Sequence, residues 1–381
     1  MRRTSCSVYS LPVTCAILCV GLRSVHGQQC VPVHMGSFHT PQYARGVAVD
    51  GNVVYVTAFT SGLFSVDVTN PTSPIQVDSY DTPNDALDIA VVGTFAFVAD
   101  GATGLLVFDV SDPASLQLIG QVNTPGISTG LVIQGDRVYI ADGDGGLQIA
   151  DISNPAQPAL LGSIDTQSDA KDVAITGDIA FVAAAFFGLE CFDVSDPVSP
   201  KLVGSIALPG VAQGVAVVGS NVYFADGSAG LYIIDVSDPS LPQIVGSLST
   251  LHGSTDVVVD GSIACVADSS AGVQIVDVSN PALPVLAGTF STSHIAFRLA
   301  KRNSTVFVAD GFSGLQIGDI ESCMAECYPD CDKDNNLSIF DYICFGNAYA
   351  NLDPYADCDQ SGSFNVFDYI CFGNAYATGC P

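Results

Sequence analysis

The sequence predicts an all-β ring of seven four-stranded blades followed by a small helical domain, and three observations predict it. First, seven aspartates (Asp67, Asp109, Asp151, Asp193, Asp235, Asp277 and Asp319) stand 42 residues apart without one insertion or deletion. A period of this size marks a repeat architecture rather than a single irregular domain. Second, one period holds four short β-rich runs, seen between Asp88 and Asn123 as DIAVVG, FAFVAD, LLVFDVS and LQLIGQVN, separated by Gly, Asp, Ser and Pro. Four strands in 42 residues is the pattern of a β-propeller blade. Third, the seventh unit stops after its third strand, near Ile320, and its missing fourth strand lies at the other end of the chain. The run from Pro32 to Pro41 sits 42 residues before its counterpart from Pro74 to Pro83. The N-terminal strand is therefore expected to close the last blade, which removes the edges an open stack would expose.

Each repeated Asp ends an apolar run and opens a turn, as in Gly104 to Pro113, so its carboxylate is expected to accept a backbone NH in an Asx-type turn. The same role is expected of Asp100, Asp142, Asp226, Asp268 and Asp310.

Residues 1–27 read as a secretory signal: Met1-Arg2-Arg3, an apolar stretch from Leu11 to Leu22, then Ser24-Val25-His26-Gly27. No second apolar run of about twenty residues follows, so no transmembrane segment is expected. The formal net charge is −28, and Arg2, Arg3 and Arg23 leave with the leader, which deepens the acidity. Nucleic acid and anionic membrane are thus poor partners. Of 13 cysteines, seven fall from Cys323 to Cys380, and in an exported chain such a cluster reads as disulfides. Cys30 precedes the closing strand, and seven periods of 42 carry its position to 324, beside Cys323. A Cys30–Cys323 disulfide is expected to staple the ring. Cys191 and Cys265 occupy phases held elsewhere by Ile149, Ile233, Tyr223 and Phe181, and are expected to be buried free thiols.

After Cys323 the period ends and a 27-residue duplication begins, dividing the mature chain into residues 28–323 and 324–381. Asp330 to Asp341 aligns with Asp357 to Asp368 as two twelve-residue calcium loops of EF-hand type. Ca²⁺ takes six to eight oxygen ligands, and such a loop supplies them from positions 1, 3, 5, 7 and 12. These are Asp330, Asp332, Asp334, the Asn336 carbonyl and Asp341 in one loop, and Asp357, Asp359, Ser361, the Ser363 carbonyl and Asp368 in the other. Each loop runs into a segment with helical apolar spacing, Ile339 to Tyr349 and Val366 to Tyr376. Two loop–helix units with Asp at position 12 resemble a dockerin. The flanking Cys327 and Cys380, the Asp-Cys-Asp openings with Cys331 and Cys358, and the Cys-Phe-Gly-Asn-Ala runs at Cys344 and Cys371 resemble the GC-type dockerins of exported planctomycete-like proteins. The resemblance implies two bound Ca²⁺ and a cohesin-like partner or envelope component. Ile339, Phe340, Val366 and Phe367 stand at the loop positions 10 and 11 that face the partner in cellulosomal dockerins, where small hydroxyl residues are usual.

The blade motif resembles the LVIVD-repeat family of surface proteins, carried here by Val273-Gln274-Ile275-Val276-Asp277. The resemblance implies a surface propeller. Function should lie where blades differ. The position leading into each first strand reads Arg45, Leu87, Thr129, Lys171, Gln213, Thr255 and Phe297, and the loop after each second strand reads Thr60, Ala102, Asp144, Phe186, Ser228, Ser270 and Phe312. Tyr43, Arg45, Phe59, Lys171, Phe186, Phe187, Phe297 and Phe312 are expected to form an aromatic, weakly basic patch suited to a glycan or a protein loop. His252 and His294 share a phase, but no third ligand or nucleophile recurs beside them. No catalytic motif stands out. The reading is a secreted or cell-surface binding scaffold; the alternative is an extracellular polysaccharide-active enzyme delivered by its dockerin.

Overall fold

The computed structural model describes residues 30–324. Within them the chain forms seven antiparallel sheets of four strands each. One blade illustrates all: Asp88–Val92, Phe95–Ala99, Leu105–Asp109 and Gln117–Val122 run in order from the ring's axis to its rim. The innermost strands of the other blades are Gly46–Asp50, Gly130–Gln134, Ala170–Thr176, Gly214–Val218, Asp256–Asp260 and Arg298–Arg302. Each contacts the innermost strand of the next blade, and the last contacts the first, so the ring closes. The closing strand, Val33–Phe38, pairs antiparallel with Leu315–Asp319, the third strand of the seventh blade.

The two middle strands of a blade are nearly continuous in apolar residues because neighbouring blades cover both their faces. Val54 and Val56, or Val138 and Ile140, are fully buried, as are Leu105 to Phe108. Successive blades share apolar clusters, and the cluster at the seam joins Phe64 and Val66 of the first blade to Phe307, Leu315 and Ile317 of the seventh. Burial of this kind is the main favourable term holding blade to blade.

The turn after each third strand has the expected chemistry. The carboxylates of Asp67, Asp109, Asp151, Asp193, Asp235, Asp277 and Asp319 each accept the backbone NH two residues on, at 2.7–3.0 Å. A proline follows at 42-residue spacing, from Pro71 to Pro281, and except at Pro113, whose carbonyl accepts the Ser65 hydroxyl at 2.7 Å, its carbonyl packs onto a glycine in the outer strand of the preceding blade. An added Cβ would stand 2.3 Å from the carbonyl oxygen at Gly120 and 2.0 Å at Gly246. At the seam Cys323 stands where the next proline would fall, and its disulfide with Cys30 covers Gly288 in place of the turn. The Cα atoms of the pair lie 5.0 Å apart across a sequence separation of 293. Cys191 and Cys265 are free and buried, and burial pushes both thiols up to about 12.

The second set of aspartates departs from expectation. Asp100, Asp142, Asp226, Asp268 and Asp310 are fully buried, and they accept backbone NH groups from the preceding interblade loop rather than from their own turns. The donors are Asn84, Gly126, Gly210, Gly253 and His294, at 2.7–3.0 Å. A connection that returns from the rim to the axis carries peptide groups without strand partners, and a buried carboxylate satisfies them. In the fourth blade Ala184 holds this phase, and Glu190 takes over by accepting the Gln167 NH at 3.0 Å.

Candidate functional site

The innermost strands begin on one face of the ring, and the residue just before each begins the wall of a central opening. Arg45, Leu87, Thr129, Lys171, Gln213, Thr255 and Phe297, the predicted position of divergence, line one vestibule of ≈ 260 Å³ with Arg298 as its floor. Arg45, Arg137, Lys171, Lys201, Arg298, Lys301 and Arg302 are the cations of the described residues, and three of these seven meet here. No carboxylate lines the vestibule.

At the edge of this mouth the aromatic patch is present in part. The Tyr43 ring lies 3.7 Å from that of Phe312 and 6.2 Å from that of Phe297, between centroids. The Arg45 guanidinium sits 4.1 Å over the Phe297 ring, a cation–π contact. His294 joins the cluster, 5.6 Å from Tyr43 and 5.4 Å from Phe312, and its Nδ1 is buried without a hydrogen-bond partner. Phe59 and Phe186 have no ring contact with this cluster among the described residues; Phe186 is instead exposed on the tip of its own loop. Burial, with Arg298 nearby, lowers the Arg45 pKa. Lys171 pairs with Asp169 at 3.3 Å.

One residue deeper lies a layer that the sequence reading did not single out. Around the ring its positions are Gly46, Asp88, Gly130, Asp172, Gly214, Asp256 and Arg298, an alternation of Gly and Asp that ends in Arg. Arg298 Nη1 is 2.9 Å from Asp172 Oδ2 and 3.3 Å from Asp256 Oδ1, and its Nε is 3.8 Å from Asp88 Oδ1. The second oxygen of Asp88 accepts the Leu131 NH, and that of Asp256 the Leu299 NH; Asp172 Oδ2 also takes the Val215 NH. Each carboxylate therefore stitches its blade to the next. Burial pushes the carboxyls of Asp88 and Asp256 up to about 6, against the opposing pull of Arg298. Burial alone would lower Arg298, but Asp172, Asp88 and Asp256 together hold it well above its ordinary value.

The glycines make the layer possible. A Cβ on Gly214 would lie 2.7 Å from Asp256 Cα and 2.9 Å from the Thr255 carbonyl oxygen, both backbone atoms with little room to move. Gly214→Ala is expected to cost about 1–3 kcal/mol, as overpacking does elsewhere. Urea denaturation read by circular dichroism checks this, and an unchanged midpoint would mean the ring widens freely.

Beneath Arg298 the channel continues into a chamber of ≈ 400 Å³ lined by all three carboxylates and by Val47, Ile89, Val173 and Val257 among others. Its far rim includes Val218, which is 43% exposed on the opposite face. Among the described residues no group of three or more His, Cys, Asp or Glu is placed to hold a metal ion. No helix there is long and apolar enough to cross a membrane.

The signal at 1–27 and everything predicted for the tail lie outside the described residues: the two calcium loops, Ile339, Phe340, Val366 and Phe367, and the cysteines at 327, 331, 344, 358, 371 and 380.

Seven four-stranded sheets around a central channel define a β-propeller. More particularly, the chain belongs to the LVIVD-repeat family: the LVIVD repeat matches residues 41–82, 83–124, 125–166, 167–207, 209–250 and 253–292. No curated protein matches it at the level of sequence. Among solved structures, the WD40 β-propeller domain of Doa1 superposes with a TM-score of 0.64 at 11% identity, covering 78% of this chain and 100% of that one. The computationally designed Ika8 protein gives 0.58 at 11%, covering 77% and 100%. Saccharomyces cerevisiae Sqt1 gives 0.56 at 10%, covering 74% and 83%. At these identities the likeness is one of fold.

Proposed function

We propose that this chain is an exported binding scaffold. Its ring receives, at the channel mouth, an acidic group carried by a glycan or a protein loop. Its C-terminal segment binds two Ca²⁺ and docks on a cohesin-like partner, holding the ring at a cell surface or within an extracellular assembly. The observation that carries the first half is the gathering of Arg45, Lys171 and Arg298 around one vestibule in a chain of net charge −28, with Phe297, Tyr43 and Phe312 beside them. Lys171 is paired with Asp169 outside the vestibule and Arg298 with the layer beneath it, but no carboxylate lines the vestibule wall itself, so an anion entering it meets cations alone, and flat aromatic rings suit the face of a sugar. At ≈ 260 Å³ the vestibule is smaller than the roughly 300–1,000 Å³ of drug-sized sites, which suits one terminal group rather than a whole polymer.

The second half rests on the sequence of the tail. Its donors are carboxylate, hydroxyl and carbonyl oxygens, the hard ligands Ca²⁺ prefers. Export is supported by the Cys30–Cys323 disulfide, a bond that persists in oxidising compartments. Anchoring would also raise the ring's effective concentration near its ligand, so that a weak mouth would suffice.

The test uses the mature chain and a version truncated after Cys323 as baits on envelope and secreted fractions, with calcium and with a chelator. A discrete partner held only by the full-length bait with calcium is expected. Equal capture by both baits would sink the anchor. Ligand retained by the truncated ring should be lost on Arg45→Ala combined with Lys171→Ala, and retention by that variant would remove the mouth from the proposal.

A further inference from the structure

The chamber beneath Arg298 is distinct from the mouth and opposite to it in charge. The vestibule is lined by three cations and no carboxylate; the chamber is lined by three carboxylates and one cation. Arg298 is the partition and belongs to both. The stitching role of the aspartates does not explain this imbalance. One oxygen on each accepts a backbone NH, and an asparagine carbonyl would accept the same bond without bringing charge into an apolar wall. Three charges sharing one guanidinium leave an uncompensated negative excess where burying charge is costly.

Asp88 gives the chamber a defined point of attachment. It is 8% exposed, its Oδ2 is occupied by the Leu131 NH, and among the described residues its Oδ1 accepts no hydrogen bond, the nearest cationic atom being Arg298 Nε at 3.8 Å. This oxygen faces a cavity whose volume falls within the range of small-molecule sites and whose remaining wall is almost entirely Val, Ile, Leu and Ala. A metal ion fits poorly. The carboxylates stand around a ring whose centre the Arg298 guanidinium already fills, a cation in the place an ion would take.

We propose that the chamber is a binding site for an organic ammonium group on a short apolar chain, entering from the face opposite the mouth. The ammonium donates to Asp88 Oδ1 and to the accessible edges of Asp172 and Asp256, completing the charge balance that Arg298 begins. The alkyl body lies along Val47, Val173, Val215 and Val257. The same chemistry could be presented by a free amine or by a lysine side chain of a partner's loop. The charged groups facing Asp88 are Arg298 on the last innermost strand, Asp172 on the fourth and Asp256 on the sixth; Arg45 also acts on it from the mouth. Binding needs the carboxylates ionised, so affinity should fall as pH drops through about 6, where Asp88 and Asp256 take protons. The site is independent of what the mouth receives.

The experiment is calorimetric titration of the mature full-length chain with n-pentylammonium chloride at pH 7.5 and pH 5.0, with n-pentanol and sodium chloride as controls. A lysine-containing tripeptide is titrated in a parallel arm. One-to-one saturable binding of the amine at pH 7.5 is expected, at least tenfold weaker at pH 5.0 and at least tenfold weaker in Asp88→Asn. Asparagine keeps an acceptor for Leu131, so the ring should fold, which circular dichroism checks; Asp256→Asn serves if it does not. Tighter binding of the tripeptide than of the free amine would make the source a partner's lysine. No saturable binding of either, equal binding of pentanol, displacement by equimolar sodium or full retention by both variants would overturn the proposal.

Discussion

Arg298→Met is expected to destabilise the ring by about 3–5 kcal/mol near pH 8, the cost of removing one partner from a buried charge cluster. The methionine keeps the length and loses the charge that Asp88, Asp172 and Asp256 share. The loss should shrink as the solution is acidified, and the sign follows from the carboxyls. In the native ring Asp88 and Asp256 are raised to about 6, above the value near 4 of an unfolded aspartate. Their contribution to stability is therefore greatest below about 4 and is lost as pH rises through 6. Without Arg298 the same carboxyls rise further, so protonation rescues the variant over a wider range. The turn aspartates act in the opposite sense. Hydrogen bonds from the residue two positions on, through its side chain and its backbone NH, hold Asp67, Asp109, Asp193 and Asp235 low. Their contribution is present above about 4 and lost below it. Melting curves should thus place the wild-type optimum between about pH 4 and 6, and a gap between wild type and Arg298→Met that stayed constant from pH 8 to pH 5 would contradict the assignment.

Removing the Cys30–Cys323 disulfide by paired serine substitution is the second large effect. The loop it closes spans nearly the whole ring, and the chain-entropy account values such a constraint at about 5–6 kcal/mol. For a domain of this size that is a fall in melting temperature of roughly 6–12 °C. The seam should also become the first place to open. The closing strand has one sheet partner, the third strand of the seventh blade, and without the disulfide nothing covalent holds it there. Scanning calorimetry with limited proteolysis checks both points. Cleavage should appear first between the closing strand and the first blade, and a melting temperature unchanged within about 1 °C would mean the strand alone secures the ring.

Much of this architecture was legible in the sequence because the period is strict. The blade count, the turn aspartates, the closing strand and the disulfide all follow from adding 42 to a residue number, since a repeat without insertions converts sequence phase directly into position around an axis. The ring of residues at the mouth was legible for the same reason. The aromatic cluster was only half legible: Tyr43, Phe297 and Phe312 meet where the first blade adjoins the seventh, whereas Phe59 turns toward Ala86 before the second blade and Phe186 sits in the fourth, and phase alone does not tell which neighbouring loops touch. The charged layer escaped because its pattern repeats every two blades, so a comparison of single blades shows only Gly, Asp and Arg in turn. For the second aspartates the sequence shows only a carboxylate's local options, its own turn, and not a loop that returns from 16 residues earlier to the same spot.

Gly46, Asp88, Gly130, Asp172, Gly214 and Asp256 describe a two-letter alphabet, and seven is odd. No alternating pattern can run around an odd cycle without two like letters meeting. Two glycines side by side would leave a hole in the layer, and two aspartates would set bare charges against each other. A third letter at the defect avoids both, and Arg298 is that letter. The defect falls in the blade that also holds the chain's two joined ends and their disulfide. A six- or eight-membered relative with this alphabet would have no defect to fill, and with it no internal cation. Parity thus gives a near-sevenfold object one distinguishable direction, along which a ligand with a head and a tail has only one way to lie.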